Sequence, residues 1–129
     1  MANSINASQG IVSTGPDGIG YATGAGGTVT QQTNKATGVT LNKICGDITL
    51  NGAALAAGAI VSFILTNSCI AAGDALILNH VTTGTFGPYL LNAHGFGAGS
   101  CTIDVRNTSA GSLSEAIVIR FAVIKAVTA

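Results

Sequence analysis

The side chains that most often carry out catalysis are few in this sequence and far apart. His80 or His94, Asp74 or Asp104, and any of the serines could together supply a Ser-His-Asp hydrolytic triad. The nucleophile of such a triad commonly sits in a GxSxG turn between a strand and a helix. Ser100 lies in the sequence GSC instead, and no alternation of strands and helices surrounds it. The sequence therefore predicts no enzyme, and a hydrolase is kept only as a third class that turnover on peptidoglycan or glycan would reveal.

Other reactive or ligand-binding patterns are equally thin. The five acids are spread from Asp17 to Glu115 without a local pair, which disfavours acid/base catalysis and a calcium loop. The glycine-rich stretches 15–27 and 95–99 do not match a phosphate-binding loop and are typical of turns. The cysteines form no CxxC and are expected to be small buried side chains: Cys45, Cys69 and Cys101. We therefore expect no cofactor and no metal.

Composition limits the classes of partner. Charged residues make up 8 % of the chain, against about 25 % in typical domains, and net charge is zero with neutral histidines. A chain without a basic patch is not expected to bind nucleic acid. The most apolar window, 53–65, is shorter than the roughly 20 residues of a spanning helix, so no membrane partner is expected. The start, MANSINASQG, resembles no signal peptide, which predicts that the chain stays in the reducing cytoplasm where it is made.

The first 26 residues differ from the rest. Residues 1–26 are rich in Gly, Ser, Asn and Thr and contain a Pro16-Asp17-Gly18 turn signal. We interpret them as an extended N-terminal arm, and the alternative is an ordinary flexible terminus. If the arm contacts another protein, its apolar residues are the candidates: Ile5, Ile11, Val12, Ile19 and Tyr21.

Residues 27–129 read as a series of short strands. β-branched runs recur between glycine-containing turns, which is typical of a sandwich or barrel. The predicted strands are 27–32, 38–44, 47–50, 59–67, 74–81, 88–93, 100–107 and 116–126. An immunoglobulin-like sandwich is the alternative, but the chain has no Trp for the pattern that marks that fold. We therefore predict an all-β, single-domain, jelly-roll-like antiparallel β-sandwich with an extended N-terminal arm.

Two of these strands are apolar on both faces. In AIVIRFAVIKA (116–126), one face of the strand carries Ile117, Ile119, Phe121 and Val123, and the opposite face is also partly apolar. The predicted strand 59–67 likewise has two partly apolar faces. A sheet face that meets water normally carries polar residues. We therefore predict an intersubunit interface made of the outward residues Ile60, Ile64, Val118, Arg120, Ala122 and Ile124. A cation inside such an interface needs a carboxylate, and the candidates are Glu115, Asp104 or a neighbouring subunit.

Three separated stretches give the chain a family resemblance. They are TQQTNKATGVTLNK (30–43), NGAALAAGAIVSFILTN (51–67) and SLSEAIVIRFAVIK (112–125). Together they resemble a group of small virion proteins of tailed bacteriophages and prophages, over roughly residues 26–129. The resemblance implies a capsid decoration (cement) protein, present as a dimer or trimer on the capsid surface and clamping neighbouring major capsid subunits.

The alternative within the same family is a head- or tail-fibre domain that binds a host-surface receptor. Loops 82–89 and 92–100 would then form the contact tip. Their contact side chains would stack on or hydrogen-bond to a glycan: Phe86, Tyr89, His94 and Phe96.

Overall fold

The computed structural model describes residues 8–129, and these are all-β, with no helix. The eight strands are β1 (Gly26–Thr30), β2 (Val39–Thr40), β3 (Cys45–Thr49), β4 (Ile60–Thr66), β5 (Ala75–Thr82), β6 (Tyr89–Gly97), β7 (Ser100–Asn107) and β8 (Val118–Ile124). Seven of the predicted strands overlap these elements over most of their predicted length, because alternating β-branched residues are a strong local signal. The small-residue stretch around Leu55 forms neither helix nor strand and makes one isolated bridge to Leu113.

The strands form two four-stranded sheets. The first has the order β1-β3-β8-β5 and the second has the order β2-β4-β7-β6. Up to β6, consecutive strands alternate between the two sheets, and β6 and β7 form a hairpin within the second sheet. Each sheet therefore covers one face of the other, in a sandwich-like arrangement.

The core lies between the sheets. On β8 and just before it, Ile117, Ile119, Phe121 and Val123 are fully buried, as predicted. The second sheet contributes side chains from β4 and β7 that were also predicted to point inward: Phe63, Leu65, Cys101, Ile103 and Val105. The period-two burial of these strands follows from the alternation of side chains along a pleated strand.

The prediction of purely antiparallel sheets is wrong. β1 runs parallel to β3, and β2 runs parallel to β4. The chain crosses to the other sheet between each such pair, so it returns to the same sheet in the same direction instead of turning back in a hairpin. The predicted strand 38–44 is also reduced to the two residues of β2.

The first parallel pair depends on glycine. A Cβ atom at Gly46 would lie 2.6 Å from the Gly27 carbonyl oxygen and 2.7 Å from Leu41 Cδ2. Any larger side chain at this position would push β1 or the Leu41 side chain away. Gly46 therefore permits the close approach of β1 to β3.

A buried lysine joins the loops at one end of the sandwich. Lys35 is 3 % exposed, and its Nζ donates hydrogen bonds to the main-chain carbonyls of Asn51 and Glu115. Gln31, also buried, donates to the carbonyls of Lys35 and Thr37. Burial lowers the pKa of Lys35 because it disfavours the charged form, while the nearby Glu115 acts in the opposite direction.

The predicted loop 92–100 is largely strand. β6 continues to Gly97, and the turn into β7 is confined to the residues before Ser100, with Gly99 at a φ of +84°. The register shifts between His94 and Gly97, so the glycines accommodate a bulge instead of a long loop.

Candidate functional site

The outward residues of β8 lie on the exposed side of the first sheet, as predicted. Val118, Arg120, Ala122 and Ile124 alternate with the core residues, and Ile77 of β5 lies directly opposite Ala122. We call this surface the first outer face. Ile77 and Ile124 are exposed, so the face carries apolar side chains in contact with water.

Arg120 finds its partner within this face. Its Nε donates to Asp47 Oδ1 at 2.7 Å and its Nη2 donates to Asp47 Oδ2 at 2.9 Å. The predicted partners Glu115 and Asp104 are wrong, because the register of β3 and β8 places Asp47 directly opposite Arg120. This two-point pairing raises the pKa of Arg120, although 59 % of its side chain remains exposed. Arg120 therefore needs no carboxylate from another subunit.

Ile60 and Ile64 lie on the other side of the molecule. They point outward from β4 in the second sheet and are 59 % and 48 % exposed. Ile60 lies opposite the exposed Arg106 of β7, and across β7 it is aligned with the exposed Leu90 of β6. We call this surface the second outer face. The six predicted interface residues therefore do not form one surface but divide between two opposite faces.

A polar cluster crosses the second outer face. Ser62 Oγ donates to Asp104 Oδ1 at 2.6 Å, and His94 Nε2 lies 3.0 Å from Asp104 Oδ2. The Ser62 hydroxyl, followed by His94, holds the pKa of Asp104 below its usual value. A hydrolytic triad needs the histidine between the serine and the acid, whereas here the acid lies between them. The arrangement keeps Ser62 bound to a carboxylate and does not activate it as a nucleophile.

Glu115 fixes the loop between β5 and β6. Its carboxylate accepts hydrogen bonds from the Thr85 N–H at 2.9 Å, the Thr85 hydroxyl at 2.7 Å and the Tyr89 hydroxyl at 2.9 Å. Thr83 has a φ of 61°, a conformation that is strained for a β-branched residue, and its hydroxyl donates to the Ala116 carbonyl at 2.7 Å. The loop is therefore held in one conformation by contacts to the segment that precedes β8.

The aromatic residues assigned to a contact tip do not form one exposed group, although Phe86 and Tyr89 both lie beside the His80 ring. Phe86 is 63 % exposed and its ring lies 4.6 Å from that of His80, centroid to centroid. Tyr89 is buried, which corrects its prediction as an exposed contact, and burial raises its pKa. His94 and Phe96 belong to β6 and not to a loop beside Phe86. Of the predicted contact residues, only Phe86 remains prominent on the 82–89 loop.

Loss of Glu115 should weaken the response of stability to acid. The two Thr85 donors, the main-chain one first, lower the pKa of Glu115 below its reference value of 4.5. A carboxyl group whose pKa is lower in the folded state contributes stability above the unfolded value, and this contribution disappears as pH falls through the folded value. Urea unfolding measured as pH falls below about 5 should therefore show a shallower loss of stability for Glu115→Gln than for the natural chain.

Asp17→Asn is the control for this prediction, since it removes one negative charge from the exposed arm. Its pH profile should follow that of the natural chain. Equal slopes for the natural chain and Glu115→Gln would contradict the assigned role of Glu115. Both the natural chain and Glu115→Gln should still lose some stability as the pH falls, because the pKa values of Asp74 and Asp104 are also lowered.

The part of the arm from residue 8 onward has no strand before Gly26. Ile11, Val12, Ile19 and Tyr21 are exposed, and the Tyr21 hydroxyl also donates to the main-chain carbonyl of Val123. Ile5 lies outside the described residues. The candidate arm contacts therefore divide into an anchored position, Tyr21, and exposed apolar positions before it.

The cysteines are free thiols, and only one is fully buried. Cys101 lies in the core, where burial raises its pKa to about 11, whereas Cys45 and Cys69 are half-buried. The expectation of three buried side chains is thus correct for Cys101 alone. Cys45 points toward the first outer face, because side chains alternate along β3 and Ile48 points into the core.

Residues 8–129 form no pocket and bring together no group of three or more His, Cys, Asp or Glu side chains that could hold a metal ion. In the same part of the chain, no helix has the length and apolar character needed to cross a membrane. Comparison with protein-family models, with curated proteins and with solved structures found no match to this chain.

Proposed function

We propose that this chain is a structural protein of a bacteriophage virion, a capsid decoration (cement) protein that self-associates and clamps neighbouring major capsid subunits. One observation carries the proposal. The two outer faces lie on opposite sides of a small body, and each combines exposed isoleucines with a carboxylate already paired within the face. A body with two such faces can contact two neighbours at once.

The paired charges make the first outer face suitable for burial. On the second outer face, Arg106 is exposed and forms no ion pair within residues 8–129, so a partner surface must supply a carboxylate or leave this guanidinium in water. Removing an unpaired charge from water costs several kcal/mol, whereas a hydrogen-bonded pair carries much of its own compensation. On the first outer face Asp47 pairs with Arg120, and on the second Asp104 accepts from Ser62 and His94. Many copies, each linking two capsid subunits, would add their contributions through avidity and oppose the pressure of packaged DNA.

The strand order supports a reduced jelly roll. Strands β3 to β8 give the sheet orders β3-β8-β5 and β4-β7-β6, with crossings between sheets on either side of the β6–β7 hairpin. An eight-stranded jelly roll has this winding with one further strand in each sheet after β6. β1 and β2 would then be additions that pair in parallel with the first two strands of the roll.

The arm would bind along the capsid by adding main-chain hydrogen bonds to an exposed strand. We expect deletion of residues 1–20 to weaken binding to purified heads by about tenfold or more, which corresponds to about 1.4 kcal/mol. Tyr21 is retained, and residues 8–20 are exposed, so the fold should be unchanged. Occupancy on heads, quantified by mass spectrometry, measures the effect.

The full-length variant Tyr21→Phe is the control for this deletion, because it removes only the hydroxyl that anchors the arm to Val123. It should lose less occupancy than the deletion. Undiminished occupancy of the deleted chain would rule out the arm as a capsid contact. Absence of the natural chain from purified virions would overturn the proposed function itself.

A fibre domain that binds a host receptor is the second candidate, and one observation favours it. Phe86 is exposed on a loop that is hydrogen-bonded to Glu115, and an aromatic side chain on a preordered loop loses little entropy on binding. Copy number separates the candidates, since a decoration protein occurs in proportion to the capsid subunits and a fibre tip in only a few copies. Counting this chain in virions by quantitative mass spectrometry decides between them.

A further inference from the structure

β4 has an uncovered edge. On one side it pairs with β7 along its whole length, from Ile60 to Thr66. On the other side β2 pairs only with Leu65 and Thr66. Within residues 8–129, no strand therefore lies beside residues 60–63 on the side away from β7.

The direction of the main-chain groups at this edge follows from two hydrogen bonds. The Thr66 carbonyl accepts from the Leu41 N–H at 3.0 Å, on the side of β2. The Ala59 carbonyl accepts from the Asn107 N–H at 3.0 Å, on the side of β7. Because these directions alternate along a strand, the N–H and C=O groups of Ile60 and Ser62 point toward the uncovered edge.

The edge has clear limits at both ends. Gly38 approaches Ile64 so closely that a Cβ atom there would lie 3.3 Å from the Ile64 carbonyl oxygen, so β2 blocks the edge from this point on. Before Ile60 the chain turns at Gly58, which has a φ of +73°. A partner strand can therefore pair only with residues 60–63.

The edge also lacks most of the features that usually prevent pairing. Natural edge strands are protected by short length, lysine, proline, bulges or a covering segment. The uncovered stretch is short, but it contains neither lysine nor proline. Residues 60–63 read IVSF, and the outward Ile60 is among the most exposed apolar side chains of the sheets. The main-chain donors and acceptors of this stretch can therefore pair with another strand.

We propose that a second copy of this chain covers it, by antiparallel pairing of β4 with β4 of the partner subunit about a two-fold axis near Val61. Ile60 then lies opposite Ser62 of the partner subunit, and each such pair exchanges main-chain hydrogen bonds. Identical edges satisfy each other fully in this arrangement, because the same donors and acceptors occur on both. Ile60 also comes within reach of Ile64 of the partner subunit, at the diagonal position.

This inference rests on the self-association that is part of the proposed function, and it names the surface. Both outer faces would remain available for capsid subunits. The second sheets of the two copies would join edge to edge into one continuous sheet.

Ser62→Pro tests the pairing directly. Proline removes the N–H that points to the uncovered edge and leaves the β4–β7 hydrogen bonds in place, so the fold should persist. Sedimentation velocity should show a dimer for the natural chain and a monomer for Ser62→Pro. Ser62→Ala is the matched control: it also loses the hydroxyl bond to Asp104 but keeps the N–H, and should remain a dimer.

Hydrogen exchange on the natural chain provides a second measurement that does not depend on a variant. The amides of Ile60 and Ser62 should become protected as concentration rises, whereas those of Val61 and Phe63, which face β7, should be protected throughout. A monomeric natural chain, a dimeric Ser62→Pro, or a dimer with unprotected Ile60 and Ser62 amides would each overturn the proposal. A monomeric natural chain would also overturn the self-association in the proposed function, whereas the other two results would overturn only the β4 edge as its surface. Presence in virions is measured separately, so these failures are distinguishable from a failure of the decoration role.

Discussion

Replacement of Phe121 by alanine is expected to lower the free energy of unfolding by about 3–5 kcal/mol. Phe121 is fully buried in the centre of β8, with β3 on one side and β5 on the other. Its loss removes the largest of the fully buried side chains and leaves a cavity that neighbouring strands cannot fill. Because domains are stable by only about 5–15 kcal/mol, the variant should be near its unfolding limit. Urea denaturation followed by circular dichroism measures the change.

Ile124→Ala is the control for this prediction. It lies on the same strand but points outward and is exposed, so its truncation should cost less than about 1 kcal/mol in the isolated chain. The comparison separates core packing from the contribution of the first outer face. Similar losses for both variants would contradict the assignment of the two faces of β8.

Replacement of Gly46 by alanine should destabilise the chain by about 1–3 kcal/mol through overpacking. The new methyl group would overlap the main chain of β1 and the Leu41 side chain, so β1 must move away from β3. Compared with the natural chain, hydrogen exchange in Gly46→Ala should accordingly be accelerated more in β1 than in β7. Urea unfolding gives the size of the effect.

Gly52→Ala provides a matched glycine replacement. A Cβ atom at Gly52 would meet no atom within 4 Å, and we expect a change of less than about 0.5 kcal/mol. Equal effects at Gly46 and Gly52 would show that β1 does not approach β3 as closely as described. A loss at Gly46 without faster exchange in β1 would locate the strain at Leu41 instead.

The placement of Arg120 changes how the first outer face can act. An unpaired arginine would require a carboxylate from a partner, whereas a paired one leaves the face nearly neutral and able to meet another surface. The pairing with Asp47 could not be predicted, because Asp47 lies 73 residues earlier in the chain. Only the register between β3 and β8 brings the two residues together.

Local pattern was sufficient for the strands with regular alternation. β7 and β8 bury the predicted residues, and β4 directs Ile60 and Ile64 outward as expected. Local pattern was insufficient where contacts between residues distant in the sequence determine the structure. The length of β2 depends on its short pairing with β4, and Lys35 is buried because two main-chain carbonyls from distant loops converge on it.

The candidate surfaces also depend partly on local pattern and partly on long-range contacts. Outward isoleucines on β4 and β8 follow from period two, since neighbouring side chains must point to opposite sides of a strand. This alternation does not determine whether those side chains share a surface. The two strands belong to different sheets, so their outward residues lie on opposite faces of the body.

The sequence by itself determined that this protein is all-β, which residues of its regular strands are buried, and that it carries unusually little charge. The tertiary structure alone decided the parallel pairs, the partner of Arg120, the separation of the two outer faces and the uncovered edge of β4. The reason is physical: side-chain alternation is a property of each strand, whereas direction, register and edge depend on which distant strands pair.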